Sequence, residues 1–258
     1  MCLIMISYDM HPKYRLIMAC NRDEYYNRLT LPLDFWNTSP DILAGKDLRG
    51  KGTWLGVTKS GRLSAITNYR DPSTLKDAAP SRGELITDFL KGETAPKTYM
   101  EHIKRVGHKY NGFNLIACDI RDCYFYSNME QMIKKIKPGI YGVSNHLLDT
   151  PWPKVKKAKE AFKNIVTVNS IIDPETLFIA LKDNTVPADE QLPDTGVGIN
   201  WERRLSSIFI KSKTYGTRSS SIILYDRKGH ITFVERTFIP SEGTDVQYST
   251  KIFQFAIS

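Results

Sequence analysis

The residues best suited to chemistry stand near the start of the chain. Cys2 is the first, a thiol inside a strand-like apolar run, Met1-Cys2-Leu3-Ile4-Met5-Ile6. A second run, Leu16-Ile17-Met18-Ala19, ends abruptly in Cys20-Asn21-Arg22-Asp23-Glu24, which brings an amide, a guanidinium and two carboxylates. A buried strand that delivers four such groups is costly, because each needs a partner or water. Removal of Met1, usual before a small residue, leaves Cys2 with a free α-amine of pKa about 8. Such an amine can act as the base for the thiol of its own residue. A neighbouring cation such as Arg22 favours the thiolate, and Asp23 can hold the amine or the guanidinium. Asparagines at strand ends, Asn68 and Asn145, are suitable donors to an oxyanion. Taken singly, a small buried cysteine and turn-forming asparagines have bland explanations; their combination at several strand ends is the signal.

The elements that must position these groups can be read in order. A turn at Asp9-Met10-His11-Pro12-Lys13 joins the first two runs and brings Cys2 back toward Asn21–Glu24. A Pro-marked loop containing Trp36 follows, then a glycine-punctuated loop from Leu43 to Gly52. Thr53–Thr58 and Leu63–Asn68 form a hairpin around Lys59-Ser60-Gly61-Arg62. Ser81-Arg82-Gly83-Glu84 reads as a capping box opening a helix through Leu90, and Pro96 opens another to about Tyr110. Phe113–Asp119 and Cys123–Ser127 pair as strands, and Ile140–Asn145 is a strand ending in an asparagine. Pro151 to about Ile165 is a basic helix with Lys154–Lys163 as its solvated face, and Asp173 caps a helix through Leu181. Residues 184–200 form a polar loop long enough for a lid. Strands at Ser219–Tyr225, Ile231–Glu235 and Ile252–Ile257 close the chain. Eight to ten strands, mostly in hairpins, with about four helices grouped between them predict an α+β fold with antiparallel sheets.

At 258 residues the chain can bury a substantial core, and the whole of it, residues 1–258, is expected to form a single domain. No run of about 18 apolar residues is present, so no transmembrane helix is expected, and no secretory signal is recognised. The net charge of +8 is scattered, and no nucleic-acid motif accompanies it. The four cysteines lack zinc spacing, so reduced thiols and no metal are expected, in the cytoplasm.

The segments Met1-Cys2, Ala19–Glu24, Gly52-Thr53-Trp54-Leu55-Gly56, Thr67-Asn68 and Tyr215–Ser220 resemble, in order, the NRDE family, named for its Asn-Arg-Asp-Glu motif. That family includes the transport and Golgi organisation protein two homologues, and the resemblance runs from residue 1 to about 240. The family is similar in turn to cysteine-type N-terminal nucleophile hydrolases, which hydrolyse linear amides. The resemblance implies a four-layer αββα sandwich of two antiparallel sheets. It implies Cys2 as nucleophile, Asp23 as the residue positioning the amine, Asn68 and Asn145 near the oxyanion, and Arg218 as the late arginine. The candidate ligand-binding residues are Asn21, Arg22, Glu24, Trp54, Tyr69 and Arg70. In one respect the chain departs from the pattern: the hydrolases carry their early arginine three residues before the aspartate, where this chain has Cys20. Successive strand residues point to opposite faces, so the reach of Arg22 to the thiol is in question.

Two functions follow from the resemblance. One is an amidohydrolase or acyltransferase acting on a small acylated compound, with no required cofactor. The other is a non-catalytic carrier binding acyl-coenzyme A, a lipid or haem, in keeping with family links to lipid metabolism and haem trafficking. In a eukaryotic source the resemblance also allows mitochondrial or secretory-pathway association. In either case the partner is a small molecule, with no nucleic acid and no integral membrane contact.

Overall fold

The computed structural model describes residues 2–239 and 247–258. In chain order the strands are β1 (Cys2–Tyr8), β2 (Tyr14–Tyr25), β3 (Thr30–Trp36), β4 (Ser39–Asp47), β5 (Leu55–Thr58), β6 (Leu63–Asn68), β7 (Phe113–Cys118), β8 (Cys123–Ser127), β9 (Met132–Lys135), β10 (Gly139–Val143), β11 (Tyr215–Asp226), β12 (His230–Phe238) and β13 (Tyr248–Ala256). The helices are α1 (Gly83–Lys91), α2 (Pro96–Val106), α3 (Pro153–Val168), α4 (Pro174–Leu181) and α5 (Ile199–Leu205). They divide into two compact units, Met1–Asn27 with Pro138–Ser144 and Leu148–Gln254, and Arg28–Lys137 with Asn145–Leu147 and Phe255–Ser258.

The first unit is built on a six-stranded sheet in the order β10-β1-β2-β11-β12-β13. Its β1–β2 hairpin turns where the sequence places the turn. Asp9 takes a positive φ of 53° there, and its amide donates to the Arg15 carbonyl at 2.7 Å. His11 Nδ1 accepts from the amides of Lys13 and Tyr14, while Nε2 donates to the Asn169 carbonyl. The register that results sets Cys2 opposite Arg22. Strand alternation then sends Leu3, Met5, Ile17, Ala19, Ile222 and Leu224 to one face, against Val155, Ala158 and Phe162 of α3 and Leu177, Phe178 and Leu181 of α4. Each large side chain so covered contributes about 1.5–3 kcal/mol. Asp173 caps α4 as expected, accepting from the Glu175 amide at 2.9 Å.

The second unit is a seven-stranded sheet in the order β3-β4-β5-β6-β7-β8-β9. Leu85, Ile86 and Phe89 of α1 and Met100 and Ile103 of α2 pack on Ile42, Ile66, Leu115, Ala117 and Tyr126. Each unit thus contributes one antiparallel sheet and one helical layer, the components of the expected αββα class.

Several local expectations are corrected. The stretch expected as loops between residues 25 and 52 contains β3 and β4. Pro32 obscured β3, yet proline is tolerated there because β3 is an edge strand whose outer backbone needs no ladder donor. The capping box at the start of α1 does not form. Its N-cap is Arg82 without a side-chain bond, and the Glu84 carboxylate instead accepts from the Tyr110 hydroxyl at 2.6 Å. The 184–200 loop runs into the unforeseen helix α5, and its Thr195 amide and hydroxyl both donate to Glu202 of that helix. Cys118 and Cys123, expected as reduced thiols, stand opposite each other across β7 and β8 and are joined as a disulfide.

Candidate active site

Two groups of candidate residues form, one within each unit. In the first, the Asn21-Arg22-Asp23 end of β2 is central, flanked by β1 and by β11. All three residues are buried. The segment Tyr215–Ser220 on β11 supplies much of what they require. Ser220 donates to Asn21 Oδ1 at 2.6 Å, and Asn21 Nδ2 donates to the carbonyls of Leu181 and Ile208. Asn21 was expected at the ligand; with no exposure and its amide used on three internal partners, it is a structural tie.

Asp23 accepts from the Thr217 hydroxyl at 2.7 Å, and Thr217 Oγ1 accepts in turn from the Ile210 amide. Burial raises the Asp23 pKa; the Lys154 ammonium, the Thr217 hydroxyl and Arg22 oppose that rise. Gly216 permits this close approach, since a Cβ there would lie 2.3 Å from the Tyr26 hydroxyl and 2.5 Å from the Ile210 carbonyl.

Cys2 and Arg22 are cross-strand partners, so their side chains share a face, while alternation turns the Asp23 carboxylate to the face of α3. This settles the departure noted above: Arg22 lies on the thiol's side. Burial pushes the Cys2 thiol above its ordinary pKa. Arg22 and the Asp23 backbone amide, hydrogen-bonded to it, pull it back, and the Asp23 carboxylate adds to the rise. Cys20, two residues before Arg22 on the same face, is buried and held further above the ordinary thiol value.

Arg218 sits at a β-bulge between Thr217 and Ser219. Its guanidinium donates to the carbonyls of Tyr25 at 2.9 Å and Tyr26 at 3.1 Å, fixing the chain just after the motif. Burial and the nearby Arg22 lower its pKa, and Glu24 counters them. Glu24 is half-buried and accepts from the Tyr25 amide.

The second group gathers Asn68, Tyr69, Arg70 and Asn145. The Arg70 amide donates to the Asn145 carbonyl at 2.7 Å, and the Arg70 guanidinium reaches Asn145 Oδ1 at 3.4 Å. Asn145 Nδ2 donates to the Asn68 carbonyl at 3.0 Å. Among the described residues the Asn68 carboxamide itself makes no hydrogen bond. Tyr69 packs its ring on His146 at 4.8 Å, whose pKa burial lowers. Trp54, in the same unit, lies over Gly45, where a Cβ would come within 2.5 Å of the indole.

Sequence reasoning missed Lys154, assigned above to a solvated face. It is 4% exposed, and its ammonium donates to the Leu205 carbonyl at 2.9 Å. The signal was present: Lys154, Ala158, Phe162 and Val166 recur every four residues, which places the lysine on the buried stripe of α3. Thr217, Tyr26 and His146 were also missed, although Thr217 lies inside a quoted segment. Among the described residues no group of three or more His, Cys, Asp or Glu gathers as a metal site, and no helix is long and apolar enough to cross a membrane.

The family model for Transport and Golgi organisation 2 matches residues 1–240. The homologue from Homo sapiens is 37% identical and that from Mus musculus 36%, each alignment covering 100% of this chain and 99% of the relative. Among solved structures, the mutant C2A conjugated bile acid hydrolase from Clostridium perfringens is similar, with a TM-score of 0.53 at 10% identity over 100% of this chain and 97% of that one. At that identity the likeness establishes the fold, which is N-terminal nucleophile hydrolase-like. Match and identities together place this chain in the Transport and Golgi organisation 2 family.

Proposed function

We propose that the chain is a cysteine N-terminal nucleophile amidohydrolase or acyltransferase acting on a small acylated compound, with Cys2 as nucleophile. The observation that carries this reading is the register of β1 on β2, which sets the Cys2 thiol against Arg22 and the Asp23 amide. The likeness in fold to a conjugated bile acid hydrolase, solved as its C2A mutant, supports this reading.

With Met1 removed, the Cys2 α-amine takes the thiol proton as the sulfur attacks the carbonyl carbon. The carbonyl electron pair moves to oxygen. Collapse of the adduct breaks the bond to the leaving group, which departs with the proton held by the amine, leaving an acyl-Cys2 thioester. Water completes hydrolysis; another acceptor completes transfer. Because burial keeps the thiol protonated, proton removal during attack is the route this site favours, rather than a standing thiolate. In this reading Asp23 orients the amine.

A second reading, an acyl-coenzyme A, lipid or haem carrier, draws on the mutual approach of Arg22 and Arg218, two cations suited to an anionic ligand. Intact mass of the purified chain and assays on amides and thioesters separate the two. Loss of Met1, with turnover abolished by Cys2→Ala, supports the enzyme; unchanged hydrolysis in Cys2→Ala overturns it. A carrier instead keeps its affinity within a few-fold in Cys2→Ala, while Arg22→Ala weakens an anionic ligand by about 1.5–3 kcal/mol.

A further inference from the structure

A cleft of about 600 Å³ lies within the second unit, between the start of β4, the β5–β6 turn, the C-terminal end of α1 and the β7–β8 turn. Small-molecule sites span about 300–1,000 Å³, so the volume suits a ligand. One lining side chain is out of place in a surface hollow: Arg62 is only 9% exposed. Its guanidinium lies 3.9 Å from the centre of the Phe89 ring. Nε donates to the Phe89 carbonyl at 3.0 Å and Nη2 to the Thr94 carbonyl at 2.8 Å, which closes the end of α1. Helix capping asks nothing more of an arginine. Yet Nη1 has no hydrogen-bond partner among the described residues, and no carboxylate among them forms an ion pair with the guanidinium. Carbonyls carry no net charge, and buried cations are otherwise found paired.

The mouth of the cleft has the opposite character. Asp41 and Glu93 stand exposed there, Asp41 at 3.6 Å from Lys59 and Glu93 with no partner among the described residues. Asp119 also lines the cleft, but it already accepts from the amides of Arg121 and Asp122. Lys91 is the exposed cation of the lining, and Ile42, Leu90 and Ile120 give it apolar surface. We propose that this cleft binds a small zwitterion of the amino-acid class, its carboxylate on Arg62 and its ammonium toward Glu93 and Asp41. A guanidinium with an open nitrogen suits a carboxylate, the exposed acids suit an ammonium, and the apolar surface suits an aliphatic side chain.

The test is a titration of the full chain with leucine, followed by NMR of the backbone amides of Ser60, Gly92 and Glu93. Leucine moves these amides in the millimolar range, and leucinamide and N-acetylleucine, each lacking one charge, bind at least about tenfold more weakly. Phosphate and glucose are run beside them. Equal binding of either derivative, of phosphate or of glucose overturns the zwitterion, and amides unmoved by leucine to about 10 mM overturn the site. Arg62→Gln removes the carboxylate partner and abolishes the response. Should that variant fail to fold, Glu93→Gln with Asp41→Asn changes exposed side chains only. It narrows the preference for leucine over N-acetylleucine, and an unchanged preference overturns the proposal. Each titration is repeated in Cys2→Ala, where the response to leucine persists; its loss there would assign the leucine to the Cys2 site instead and overturn the cleft.

Discussion

Strands β2 and β7 both lie inside their sheets, and both are buried, β2 from Leu16 through Asp23 and β7 along its whole length. They are made of opposite materials. β7 is Phe113-Asn114-Leu115-Ile116-Ala117-Cys118, in which Asn114 alone is strongly polar, and it holds to its neighbours by apolar burial that tolerates many arrangements. The end of β2 buries Asn21, Arg22 and Asp23, which are stable only if particular groups arrive at particular atoms. β11 and the carbonyls of Leu181 and Ile208 supply them. The difference shows where the molecule gives up stability for chemistry: at the end of β2, beside Cys2.

The most severe way to break this contrast is Asn21→Leu, which conserves volume and removes the amide. Two backbone carbonyls and the Ser220 hydroxyl lose a partner at about 1–3 kcal/mol each, so urea unfolding should show a loss of about 3 kcal/mol or more. Gly216→Ala comes next. Its Cβ meets the Tyr26 hydroxyl and the Ile210 carbonyl, and overpacking of this kind costs about 1–3 kcal/mol, read from the same unfolding curves. The corresponding volume-conserving change in β7, Leu115→Met, should cost less than about 1.5 kcal/mol; a loss equal to that of Asn21→Leu would erase the distinction between the strands.

The smallest effect is in pH. The Asp23 carboxyl has a raised pKa in the folded chain, so between the unfolded value of about 4 and the raised folded value the native state binds more protons than the unfolded one. Stability therefore falls as pH rises through that window. Glu175, lowered by its hydrogen bond to Arg236, acts in the opposite sense: its contribution is present above the unfolded value and is lost as pH falls through the folded one. Subtracting the thermal-midpoint profile of Asp23→Asn from that of the native chain isolates the Asp23 slope; a difference that rises with pH contradicts the assignment.

The β1–β2 hairpin was legible because two unambiguous apolar runs flank a turn marked by Asp9, His11 and Pro12. Asp173 was legible as a cap because its signal is local. β3 and β4 were not, since Pro32, Pro40 and alternating polar residues at a sheet edge look like loop. The capping box at Ser81 misled because Glu84 finds a better partner, Tyr110, 26 residues away. At the site, the motif residues were legible by type but not by task. Asn21 turned out to be a tie and Arg218 a clamp on Tyr25 and Tyr26, because hydrogen-bond partners from α4, β11 and the 206–210 segment depend on tertiary placement. Lys154 was hidden by its company, one lysine among five between residues 154 and 163.

The most direct measurement on Cys2 itself is a mass-spectrometric map of the covalent adduct. The chain is quenched during reaction with an amide or thioester substrate, digested under acidic conditions and compared with Cys2→Ala. An acyl group on the peptide that begins at Cys2, absent from Cys2→Ala, is the expected result. An adduct that persists in Cys2→Ala, or one carried by Cys20, would contradict the assignment of Cys2 as the nucleophile.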